Sequence, residues 1–342
     1  MNSALHTRVL SLSASLLLVS GAATLQNSRS AVQIPKLNED QLEFLSHVSM
    51  VDLPDGQGGF VRTARISGIN VQVVNGSGTT DGAADGLGNL IVGYNELRGA
   101  DDDRTGSHNL VTGARNNYMS YGGMISGDNN EISGPYSSVS GGRYNSASGF
   151  WSSVSGGAYN SASGDYSSVS GGIGNFATGS SSSISGGKAN IARGINSSVS
   201  GGQFNHANGD QSSLSGGLNN RAGGDYSSVS GGRNSTASGQ YSSVSGGSSN
   251  DASGSSSSVC GGGVNEAYGS DSSVSGGFKN SAMGSWSSVG GGSYGSTLGS
   301  FSSVSGGINN TAGNTNSTVS GGANRTASGP NSWAAGSLVE DR

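Results

Sequence analysis

The chain has 342 residues, of which 63 are glycine, only 32% hydrophobic and 11% charged, with a net charge of −5. This is far from an ordinary globular composition, but the scarcity of proline and the lack of a Gly-X-Y register exclude collagen, and the low net charge is unlike that of a disordered chain. No basic run is present to bind nucleic acid, and a single cysteine, Cys260, excludes a disulfide framework.

At the N-terminus, Met1 to Arg8 precede the apolar run VLSLSASLLLVSGAATL, the pattern of a secretory signal peptide over residues 1–23. Gly21 and Ala23 supply the small residues that favour cleavage after Ala23. The run is short and broken by serine, and no other stretch is long and apolar enough to cross a bilayer. The mature chain is therefore expected to lack a transmembrane anchor and to be secreted or held at a bacterial cell surface. Residues 24–87 are expected to form a helix and strand cap. NEDQLEFLSHVSMVDLPDG predicts a short helix with Leu42, Leu45 and Val48 on one side, ended by Pro54 and suited to plug the open end of a stack. TARIS and INVQVV alternate as strands, with Ile69, Val71 and Val73 on one face.

Repetition then takes over. Residues 88–131 hold looser copies: GNLIVGYNELRG, an insertion ADDDRTGSHN, and segments marked by Val111 and Ile125, each fourteen residues before the next marker. Over residues 132–330 the aliphatic residue of SVSGG falls at Val139, Val154, Val169, Ile184 and onward to Val319 in unbroken steps of fifteen. Alanine follows eight residues later, from Ala147 to Ala327, with Thr297 in one copy. A short period without drift signals a solenoid, and fifteen residues rich in serine, valine and glycine predict β coils with two half-turns. Alternation places Ser137 and Val139 on one face with Ser138 and Ser140 opposite, and Asn145, Ala147 and Gly149 opposite Ser146 and Ser148. Gly141, Gly142 and Gly149 are expected where the chain turns, and Asn145 with its copies suits a turn or an internal amide ladder. Residues 331–342 break the repeat and read as a C-terminal cap carrying Trp333. One valine and one alanine per coil make a thin core, so additional burial between chains is expected.

The repeat SSVSGGRYNSASGFW resembles the head repeat of YadA-like trimeric autotransporter adhesins, over roughly Gly88 to Gly329. The resemblance implies a left-handed parallel β-roll, a homotrimer, and attachment to a matrix or other surface ligand. The sequence departs from that family in its fifteen-residue period and in having neither a heptad stalk nor a C-terminal membrane barrel after the repeats.

Residues fit for chemistry are sparse. His108 and His206 are far apart in the repeat, which disfavours a Ser–His pair, and no phosphate loop or calcium-solenoid motif occurs. No cofactor is implied and an enzyme is not expected. The acidic run Asp101–Asp103 offers carboxylates for Ca²⁺ but lacks ligand spacing, which favours a solvated insertion. Before each Ser-Ser pair lies a position occupied by Tyr136, Trp151, Tyr166, Tyr226, Tyr241, Trp286 and Phe301. Successive coils should bring these rings into a row, either as a stabilising ladder or as a platform for glycan rings. Tyr144 and Tyr159 extend the apolar patch at the other turn. The outer serine rows resemble ice-binding surfaces only distantly, because threonine is scarce in them. Cys260 replaces one such serine, as a tolerated small residue or as a link between chains. The sequence thus predicts an all-β, left-handed parallel β-roll or β-solenoid that is structural or adhesive, with carbohydrate binding as the alternative.

Overall fold

The structure is a computed structural model that describes residues 36–336 and 338–340; the expected signal peptide lies outside the described residues. The chain divides into two compact units at Gln72/Val73. In the first, α1 (Glu39–Ser46) starts at Asn38, whose side chain accepts from the Gln41 N–H while the Gln41 side chain accepts from the Asn38 N–H. This reciprocal cap satisfies two otherwise orphaned donors. The helix stops at Ser46, well short of the expected Pro54, because Val48–Pro54 is taken into a hairpin as β1, antiparallel to β2 (Phe60–Ile66). Asp55 closes that hairpin by accepting from the N–H groups of Gln57 and Gly59, both at 2.8 Å. INVQVV is not a strand: it has no pairing partner, so its alternation alone does not fix it in a sheet.

The second unit is a parallel β-solenoid of about fifteen residues per turn. Two long ladders run through it. In the valine ladder, Val139 pairs in register with Val154, Val154 with Val169 and Val169 with Ile184, and the series continues to Val319. The looser coils join it as expected, with Ile91 opposite Val111, Val111 opposite Ile125 and Ile125 opposite Val139. The alanine ladder is a 15-stranded sheet that begins with Tyr118 and Ile132 in the alanine position. A third row of single parallel bridges runs from Ala114–Asp128 to Ile308–Ala323. Each coil is therefore tied to the next at three places rather than at two half-turns. At the C-terminal end Trp333 and Ala334 extend the valine ladder opposite Thr318 and Val319, and Leu338–Glu340 returns antiparallel along them. An added antiparallel strand occupies an edge that would otherwise be open to further pairing.

The alternation read from the sequence is realised. Ser137, Val139, Asn145 and Ala147 are buried, whereas Ser140 and Ser148 are exposed. The buried asparagines form an internal ladder: Asn160 donates from Nδ2 to the carbonyls of Gly156 and Gly172, and its own N–H donates to Oδ1 of Asn145. The same triad recurs at Asn175, Asn190, Asn205 and Asn220.

The glycines have three different roles. Gly142 has φ +79°, and a Cβ there would also meet the Gly157 carbonyl at 2.1 Å. Gly149 does not have a left-handed φ, contrary to expectation; it is required because a Cβ would sit 2.1 Å from the Gly164 carbonyl of the next coil. The Gly141 column, by contrast, points into open space: a Cβ at Gly156, Gly171 or Gly201 meets no atom within 4 Å. Gly209, in the Gly149 column, would place its Cβ 2.0 Å from the Gly224 carbonyl. Gly209→Ala is expected to lower stability by about 2–4 kcal/mol, and by more than Gly201→Ala, whose Cβ meets nothing within its own chain, as measured by denaturant midpoints.

Candidate binding surfaces

The ring-bearing positions sit at a turn whose geometry the sequence reading missed. Tyr136, Trp151, Tyr166, Tyr226, Tyr241, Trp286 and Phe301 all have left-handed backbones, with φ between 52° and 60°. So do Tyr144, Tyr159 and their copies at the other turn. This conformation directs each N–H back to the preceding coil, as Tyr166 to the Phe150 carbonyl and Tyr226 to the Asp210 carbonyl, both at 2.8 Å. A signal was available: the same columns carry asparagine at 196, 219, 234, 309, 316, 324 and 331, and asparagine tolerates left-handed φ better than most residues. Val264, β-branched at φ 57°, shows how firmly coil stacking imposes this turn.

The seven rings do not make one row. Tyr136, Trp151 and Tyr166 group with two rings absent from the sequence-based set, Tyr121 and Phe150. Within this group the centroids are 5.9 Å apart for Tyr136–Trp151, 5.4 Å for Trp151–Tyr166 and 4.7 Å for Phe150–Trp151, at tilted or edge angles. Ser181, Asn196 and Gln211 then interrupt the column. Tyr226 and Tyr241 stack at 4.8 Å, and Trp286 and Phe301 lie parallel at 6.4 Å. At the other turn Tyr144 and Tyr159 stack at 5.0 Å, and Lys279 sits between Phe278 and Tyr294, with Nζ 5.4 and 5.5 Å from the ring centroids. Ring–ring contact along the stack supports the stabilising role, while Trp151 and Tyr166 still leave about half of their surface, 51% and 52%, to solvent.

The insertion uses its acids internally. Asp102 pairs with Arg104 at 2.8 Å and accepts from the Arg98 N–H at 3.0 Å. Asp103 accepts from the N–H and hydroxyl of Thr105. Arg104 also donates to the carbonyls of Asn95 and Glu96. Among the described residues no cluster of three or more His, Cys, Asp or Glu side chains is placed to hold a metal ion. His108 lies against the Asn75 N–H and the Thr80 carbonyl, in the solenoid's first coils. His206 lies on the outer face of the alanine ladder beside Arg221.

That outer face carries two groups whose titration is shifted. Asp251 stands directly beside Glu266 in register, and its Oδ1 is buried without a hydrogen-bond partner. Burial, followed by the Glu266 charge, raises the Asp251 pKa above the usual 3.8. Burial, followed by the charges of Arg193 and Arg221, holds the His206 imidazolium below its usual range.

The fold places the chain in the class of repetitive parallel β-solenoids. No protein-family model matches it, and no curated protein matches it in sequence. The resemblance to YadA-like heads rests on the repeat sequence alone.

A carboxyl with a raised folded-state pKa binds its proton more tightly folded than unfolded, so it weakens the fold at any pH above that value. Asp251→Asn should therefore be more stable than the parent at pH 7. The advantage should shrink as the pH falls toward about 4, where an ordinary carboxyl begins to protonate. Paired denaturation curves at the two pH values measure the difference.

Proposed function

We propose that the chain is a secreted structural or adhesive surface protein that presents its solenoid as a homotrimer, without catalytic chemistry of its own. The observation that carries this reading is the outer face of the valine ladder. There the Ser138 column is serine through Ser303, and the Ser140 column departs from serine only at Cys260, Gly290 and Ala335. The neighbouring Gly141 column is glycine in every coil to Gly321, although a side chain at most of these positions would meet nothing within the chain. The outer face of the alanine ladder is free of such uniformity and carries Phe176, His206, Arg221 and Asp251 in equivalent positions.

A solvent-facing position in an isolated solenoid has no need to stay small. A position approached by another backbone does, because each added side chain would hold the two apart. Packing of serine faces between copies supplies burial that the thin core of each coil lacks. Three copies are proposed because the repeat resembles that of YadA-like heads. Presentation of a long regular surface then follows from the stack itself.

A second reading, a carbohydrate-binding solenoid, is favoured by the half-exposed Trp151 and Tyr166 beside Phe150. Rings of this kind stack on sugar faces while their edges remain packed on one another.

Light scattering on the chain from Thr24 onward, at low concentration and high salt, should give three times the chain mass; a monomer would sink the trimer. Gly201→Trp should dissociate the trimer with the coil signal in circular dichroism retained, because the chain itself leaves that space open. For the second reading, loss of glycan-array binding in Trp151→Ala is the expected outcome, and an array on which the parent chain binds nothing would dismiss it.

A further inference from the structure

The outer face of the alanine ladder is ordered along the solenoid. Beginning at the N-terminal side it presents Phe176 and Ile191, then His206 and Arg221, then Thr236, then Asp251 and Glu266, then Ser281 and Ser296. Just after these last two strands, two residues beyond Ser281 and Ser296, stand Met283 and Leu298, both about half exposed, in the neighbouring column. The order is apolar, basic, small, acidic and then small polar. It is balanced about Thr236, which has Arg221 and Asp251 one coil away on either side and His206 and Glu266 two coils away.

We propose that this face pairs with the same face of a second copy of the chain, running antiparallel about a two-fold axis at Thr236. The axis lies in the interface along the strand direction, so the sheet faces itself with the solenoid direction reversed. Arg221 of each copy then meets Asp251 of the other, and His206 meets Glu266. Ile191 and Phe176 come against Ser281 and Ser296, which leave room for them. A parallel pairing of the same face sets equal coils opposite one another, which brings acidic coils against acidic coils and basic against basic, and like charges across an interface oppose association.

Within one chain this arrangement is unfavourable. Directly opposed like charges destabilise a sheet, yet Asp251 stands beside Glu266, while Arg221 stands beside the His206 imidazole and not beside an acid. Among the described residues none of the four takes part in a salt bridge, and Asp251 Oδ1 has no hydrogen-bond partner. A second copy brings Arg221 to the acidic pair and Asp251 to Arg221, so each unpaired charge gains an opposite one. The contact is narrow: at about 4.8 Å per coil it runs about 40 Å and is two side chains wide. That is at the low end for a specific interface, so the pairing is weak and sensitive to salt. It uses a different face from the serine surface and holds whether the basic particle is one chain or three.

Sedimentation velocity across a concentration series at low salt tests it. The parent protein should associate reversibly, to twice the mass if the basic particle is one chain and to larger species if it is three, since each chain brings one such face, and should lose that association at high salt. Arg221→Glu alone and Asp251→Lys alone should each weaken it at least tenfold, because each variant opposes like charges at both symmetric contacts. An equimolar mixture of the two variants restores opposite charges at both contacts and should recover the association. Circular dichroism and melting establish that each variant is folded, and the recovery in the mixture separates lost complementarity from lost structure. The proposal is overturned if the parent shows no association at low salt, if either variant associates as the parent does, or if the folded mixture does not recover.

Discussion

The structure depends on the buried asparagine ladder. Each amide bonds both to its own coil and to the next: Nδ2 of Asn205 donates to the carbonyls of Gly201 and Gly217, and Oδ1 accepts from the N–H of Asn220. These groups would be costly to bury unpaired, and here each is used by the stacking of identical coils. The ladder accommodates one substitution at Ser235, whose Oγ accepts from Asn250 at a longer 3.3 Å. It is interrupted at Gly295, which donates to Asn280 but has no side chain to pass the bond on.

Close stacking dictates what the inside of each coil contains. Beside the asparagines, the Gly149 column must stay bare because the next carbonyl is too near, and alanine fills most of the remaining space on that side. The buried serine column is a less complete solution. Many of its hydroxyls, from Ser137 to Ser272, have no partner, whereas Ser302, Ser317 and Ser332 donate to the carbonyl three residues earlier. The same carbonyl lies within reach of the N–H of Ser137, at Gly134, so a rotation of the hydroxyl would satisfy the others in the same way.

With the interior settled by stacking, variation moves outward, and the pattern of variation is informative. One outer face keeps serine and glycine where the chain's own contacts make no such demand. The other carries apolar, basic and acidic groups in a balanced order. A third region, the left-handed turns, collects aromatic rings into separate groups. These features all belong to surfaces rather than to a cleft.

The coil length, the two inward anchors and the alternating faces were legible in the residues, because a strand has period two and an exact fifteen-residue repeat allows only one in-register stacking, whereas the asparagines read equally as turn residues or as an internal ladder. Equal spacing could not show where a ring would point or whether neighbouring rings would touch, so the seven aromatic positions read as one row although the polar copies between them divide it. It also could not separate glycine kept for its φ, as at Gly142, from glycine kept for closeness, as at Gly149, or from glycine under no demand from its own chain, as at Gly201. Likewise the helix propensity around Leu45 did not reveal that Val48 onward would leave the helix for a hairpin. Repetition along one strand of chain carries local geometry; which atoms of neighbouring coils approach one another, and therefore which side chains are excluded, is decided only when the coils are stacked.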